Sequence, residues 1–71
     1  MIVKELLKEG NKILRNSHIK TSMLDAEIIL SMVINKTREN VLLSEDIKLS
    51  NRQINQFNHL IRRRAKKKEP I

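Results

Sequence analysis

The side chains with the most evident capacity for chemistry lie near the end of the chain, in Arg62-Arg63-Arg64-Ala65-Lys66-Lys67-Lys68. Cations at this density can hold phosphates. On a helix, however, three consecutive arginines fan over about 200° at 3.6 residues per turn, so they do not converge on one pocket. Like charges at Arg63/Lys67 and Arg64/Lys68 each cost about a few tenths of a kcal/mol. Their place near a helix C-terminus returns a similar amount through the helix dipole. No aromatic side chain is interleaved with the charges, so base stacking of the single-strand kind has little to work with. The run reads either as a solvated helix end or as a phosphate-binding surface.

The other ionisable residues offer less. His18 falls in a connector and His59 on a helix, without the further ligands that a zinc site needs. Asp25 and Glu27 are two apart on a helix and point to different faces, which argues against a paired acid–base role. There is no cysteine, no glycine-rich phosphate loop and no Ser/His/Asp or Cys/His arrangement. The expected catalytic, cofactor-binding and metal-binding sets are therefore all empty. The residues describe a helical binding or scaffolding module.

The chain has 71 residues, which is one small domain. Without cysteine it has no disulfide framework, and stability must come from packed aliphatic side chains with Phe57 as the one aromatic. The formal charge of +7 is unevenly placed: residues 1–61 contribute +2 and residues 62–71 contribute +5. A nearly neutral body with a basic end differs from a uniformly basic nucleic-acid binder. The opening MIVKELLKEG is amphipathic and lacks the apolar core of a signal peptide, so a cytoplasmic protein is expected, with no membrane partner.

The elements that must position these residues are helices. Leu24–Ile34, LDAEIILSMVI, sets Ala26, Ile29, Leu30 and Val33 on one stripe. Met23, Ile28, Met32 and Ile34 widen it until Glu27, Ser31 and Asn35 form a narrow polar edge. A helix so apolar is expected at the centre of a bundle, with Met23 and Met32 as core filler. It is too short to cross a bilayer. Before it, a first helix over 1–16 presents Val3, Leu6, Leu7, Gly10, Ile13 and Leu14 on one face. Gly10, the only glycine, costs about 1 kcal/mol of helix propensity and marks either close backbone approach to the central helix, the favoured reading, or a local bend.

Ile19 in the connector should cover the edge of the core. The central helix is expected over 22–35, capped by Thr21 or Ser22, and Ser22-x-x-Asp25 fits a capping pattern. Asp25 lies near Ile29 and Met32 on the wheel; the first-turn N–H groups and the helix dipole can balance its charge. A short helix over 37–43, capped by Thr37, turns Val41 and Leu42 inward. The fourth, over 50–68, starts at a capping box, Ser50-x-x-Gln53, with Leu49 and Ile54 as a hydrophobic staple. It presents Ile54, Phe57, Ile61 and Ala65, with Leu60 beside them. Pro70 disfavours helix at Glu69 and ends it by about Lys68. The expected fold is an all-α bundle of four helices, one short, with room for one extra terminal turn.

In order and spacing, VKELLKEG, LDAEIILSMVI, LSNRQINQF and RRRAKKKEPI resemble the N-terminal domain of the bacterial HemK/PrmC family, the release-factor glutamine methyltransferases. The resemblance spans essentially the whole chain. Its most specific pieces are Leu24-Asp25-Ala26-Glu27 and the Arg-Arg…Glu69-Pro70-Ile71 close. Relatives often carry proline at the position of Ser22, which would make Thr21 the cap. The resemblance implies a helical domain preceding a Rossmann-like catalytic domain that uses S-adenosylmethionine. Such enzymes methylate the glutamine of the GGQ motif in class I peptide-chain release factors.

On that reading residues 1–71 are a single N-terminal domain that helps to recognise the release factor. The catalytic domain, its cofactor site and its Asn-Pro-Pro-Tyr motif are absent from this chain. The implied partners are the release factor and the enzyme's own catalytic domain, with Arg62, Arg63, Arg64, Lys66, Lys67 and Lys68 as the partner or interdomain surface. No specific nucleic acid is expected. The alternative is an independent basic helical module that binds nucleic acid through Arg62–Lys68.

Overall fold

A computed structural model describes residues 1–44 and 46–67, the side chain of Lys67 excepted. Four helices follow one another: α1 (Val3–Asn16), α2 (Ser22–Val33), α3 (Arg38–Leu43) and α4 (Asn51–Lys67). Among the described residues there is no strand beyond an isolated antiparallel bridge between Ile2 and Lys48. The fold is all-α, as the periodicity predicts. The expected end of α4 at Lys68, and any further terminal turn, lie outside the described residues.

Helix α2 packs against each of the other three, and α1 also packs against α4. The core is built from Val3, Leu6, Leu7 and Leu14 of α1, Ala26, Ile29 and Leu30 of α2, Val41 of α3, and Phe57 and Ile61 of α4, with Leu49 from the loop. Ile13, Ile19, Val33, Ile54, Leu60 and Ala65 pack around its edge. The helical stripes expected for α1 and α4 therefore face inward.

Helix ends follow local chemistry. At the start of α1 the Val3 amide, which has no partner within the helix, donates to the Ile47 carbonyl at 3.0 Å, and the Leu49 amide donates to the Met1 carbonyl at 2.9 Å. Both α1 and α2 end in Schellman motifs. His18 (φ 64°) and Asn35 (φ 56°) take the left-handed position that glycine usually fills. The Ile19 amide donates back to the Leu14 carbonyl at 3.1 Å, and the Lys36 amide to the Ser31 carbonyl at 3.0 Å. His18 is thus a helix-terminating residue. Thr37 accepts from the Asn40 amide at 3.2 Å to cap α3. The Ser50–Gln53 capping box is formed reciprocally, with bonds of 3.0 and 3.2 Å.

Several expectations require correction. α2 ends at Val33 with Ile34 as its C-cap, short of residue 35, because the chain turns left-handed at Asn35. Its N-cap is Thr21, and Ser22 is the first helical residue; the Ser22 hydroxyl donates to Asn11 Oδ1 of α1, so it caps nothing. Met23 and Met32 are not core filler: they are 42% and 58% exposed. The neighbouring helices leave part of α2 uncovered, and its apolar girdle is therefore partly open to water. Leu42 is also exposed rather than turned inward, since six residues of helix offer one buried position, Val41.

Gly10 is closely approached, but by side chains of α4 and not by the backbone of the central helix. A Cβ there would lie 2.7 Å from Phe57 Cζ and 3.2 Å from Ile61 Cδ1. Both side chains are fully buried and have no room to withdraw. Gly10→Ala should therefore lower stability by about 1–3 kcal/mol, the usual cost of overpacking, although alanine is the better helix former. Phe57→Leu in the same chain should recover part of the loss, because the two positions share one space. Urea denaturation of the two single variants and the double variant checks this.

Candidate functional site

The basic run is divided by the helix that carries it. Arg62, Arg63 and Lys66 are exposed, whereas Arg64 turns inward. From Arg64, Nε at 3.2 Å and Nη2 at 3.0 Å both donate to Oδ2 of Asp25 on α2. The Thr21 hydroxyl donates to the same oxygen at 3.2 Å. The Asp25 and Arg64 side chains are 8% and 17% exposed. The charge of Asp25 is thus balanced chiefly by a guanidinium 39 residues away, and not only by the helix start expected from the sequence. Arg64 accordingly leaves the set of outward-facing partner residues. The side chain of Lys67 and all of Lys68 lie outside what the structure describes.

Glu27 is tied in a second direction. Its Oε1 accepts from Arg38 Nε of α3 at 3.0 Å, with Glu27 only 11% exposed. The two carboxylates of Leu24-Asp25-Ala26-Glu27 therefore point to different helices, as their spacing requires. Each is a crosslink: Asp25 joins α2 to α4 and Glu27 joins α2 to α3. The arrangement supplies no acid–base pair. Among the described residues no three His, Cys, Asp or Glu side chains gather as a metal site requires.

What remains outward is a surface on α4 and the adjoining edge of α2. Met32 and Val33 of α2, with Gln56, His59 and Leu60 of α4, line an open depression of about 320 Å³. His59, Arg62, Arg63 and Lys66 line the next. Sequence reasoning found the cations but missed the apolar half, because it placed Met32 in the core. His59 stands at the join of the two, away from any ligand set.

The comparisons with known proteins converge on one assignment. The family model described as the PrmC N-terminal domain matches residues 5–71. This chain belongs to that family. It is 34% identical over 65 residues to the release factor glutamine methyltransferase of Buchnera aphidicola subsp. Acyrthosiphon pisum (strain APS), a match covering 92% of this chain and 23% of that protein. It is 38% identical over 69 residues to the bifunctional methyltransferase of Rickettsia felis (strain ATCC VR-1525 / URRWXCal2), covering 97% of this chain and 13% of that protein. The chain thus spans less than a quarter of the length of either relative. No solved structure matches significantly. Among the described residues no helix is long and apolar enough to cross a membrane.

Within the PrmC N-terminal domain fold described here, the arginines of α4 have opposite roles, and stability measurements should separate them. Arg64→Ala leaves Asp25 buried without its cation and should cost roughly 3 kcal/mol, the low end for breaking a buried pair. Arg62→Ala and Arg63→Ala should stay within about 0.5 kcal/mol of the parent chain, as exposed substitutions do. Chemical denaturation of the three variants tests the division.

Proposed function

We propose that this chain is the substrate-recognition domain of an S-adenosylmethionine-dependent protein-glutamine N-methyltransferase acting on the GGQ glutamine of class I peptide-chain release factors. The observation that carries the reading is its membership of the PrmC N-terminal domain family, together with a relative named for release-factor glutamine methylation. The outward cations Arg62, Arg63 and Lys66 of α4 give it a physical basis, since charge that forms no ion pair among the described residues is suited to orienting a protein surface of opposite sign. In this reading the methyl donor and the chemistry belong to a separate catalytic domain, and this domain holds no cofactor. Arg62, Arg63 and Lys66 face the release factor or the catalytic domain, in the cytoplasm where release factors act, and Lys67 and Lys68 continue the same basic run in sequence.

The test pairs binding with kinetics. Calorimetry of this chain with a class I release factor should show saturable binding that weakens with salt, because the rim charges are solvent-exposed. In a methyltransferase carrying this domain, replacing Lys66, Lys67 and Lys68 with alanine should raise KM for the release factor severalfold. Its kcat and its affinity for S-adenosylmethionine should hold. Absence of binding together with an unchanged KM would sink the reading. Tight, salt-resistant binding to one nucleic-acid sequence would promote an independent nucleic-acid module instead.

A further inference from the structure

The two depressions on α4 share His59 and form one trough. Its first part is apolar, with Met32, Val33 and Leu60 between Gln56 and His59. Its second part is cationic, with Arg62, Arg63 and Lys66. Leu60 and Arg63 are three residues apart on α4, so the two parts lie about one helical turn, roughly 5 Å, from each other. Met32 is 58% exposed, and its unbranched thioether adapts readily to an opposing surface.

The charge of this trough is not answered by the helices that wall it. No Asp or Glu occurs in α4 between Asn51 and Lys67. The two acids of α2, Asp25 and Glu27, are buried against Arg64 and Arg38. Among the described residues, Arg62, Arg63 and Lys66 form no ion pair. Among the described residues the trough therefore offers cations without an acidic complement, beside an apolar floor that a purely anionic ligand would leave wet.

We propose that this trough docks an acidic amphipathic helix of a partner protein. An apolar side chain of that helix enters between Met32, Val33 and Leu60. Carboxylates one turn away meet Arg62, Arg63 and Lys66, the arginines offering bidentate contact. Helix-in-groove recognition of this kind takes apolar anchors at i, i+3 and i+4. Nucleic acid satisfies the cations but brings no aliphatic group for the floor, so the mixed lining favours protein. The proposal deepens the release-factor reading by naming the chemistry of the recognised segment, and it rests on that reading only for the identity of the partner.

The test is a titration of the isotopically labelled chain, followed by NMR, with two synthetic helical peptides of equal negative charge. One carries leucines at i, i+3 and i+4 beside its acidic turn; in the other those leucines are serine. A mixed-sequence DNA duplex and an intact class I release factor are titrated in parallel. The leucine peptide should move the amides of Met32, Val33, His59, Leu60, Arg62 and Arg63, and bind at least tenfold tighter than the serine peptide. Met32→Asp and Arg63→Glu should each weaken it about tenfold with unchanged thermal melts, since both residues are exposed. Should Met32→Asp lower the melt, Gln56→Glu places a carboxylate on the exposed wall and should weaken binding likewise. Equal affinity for both peptides, or DNA bound as tightly as the leucine peptide and indifferent to Met32→Asp, overturns the proposal. A release factor that binds but shifts only α1 or α3 removes the trough as its site and keeps the functional reading. A peptide held in the trough with the release factor silent does the reverse.

Discussion

The bundle depends on a charge that cannot be left alone. Asp25 sits in the first turn of α2, is 6% exposed, and lies beside residues that build the apolar core. An ionised carboxylate so placed loses most of its hydration, and only close donors can compensate. Arg64 brings two and Thr21 a third, all to one oxygen. Since Arg64 belongs to the last turns of α4, satisfying Asp25 fixes where the end of α4 lies relative to the start of α2. That one constraint also decides which face of the basic run is turned to water.

The apolar contacts agree with this geometry. At Gly10 of α1 the Phe57 ring of α4 occupies the space that a β-carbon would fill. Phe57 and Ile61 are four residues apart, and Ile61 is followed three residues later by Arg64. These residues run along the inward side of α4, and Arg62, Arg63 and Lys66 are left on its outward side. Helix packing and ion pairing thus point α4 the same way, a consistency between levels that favours one native arrangement. Glu27 and Arg38 extend it to α3, whose single buried residue, Val41, gives that short helix little other hold.

Much of this was legible in the sequence. The capping box at Ser50 and Gln53, the cap at Thr37 and the stripes of α1 and α4 are local patterns, and local chemistry forms them. What was not legible was long-range. Nothing in residue spacing marks Arg64, rather than Arg62 or Arg63, as the partner of a carboxylate 39 positions earlier. Helical spacing could show that Gly10 faces the core, but not that its close neighbour is α4. The breadth of the apolar surface on α2 measures how hydrophobic the helix is, not how much of it its neighbours cover. Hence Met32 reads as core and stands in water. His18 was also missed: histidine, like asparagine, is enriched at positive φ, but it stands in a polar connector where no glycine or other local pattern marks which residue turns left-handed.

The division of the basic run gives its described residues two different places in the structure. Leu24-Asp25-Ala26-Glu27 supplies two buried carboxylates, and Arg64 supplies the cation for one of them while Arg62 and Arg63 are exposed. The central claim is therefore that Asp25 and Arg64 are energetically one unit, and a double-mutant cycle measures it most directly. Asp25→Asn, Arg64→Met and the combined variant should yield a coupling of about 2 kcal/mol, within the range for residues in direct contact. A coupling below about 0.5 kcal/mol, the level at which distant sites simply add, would contradict the account.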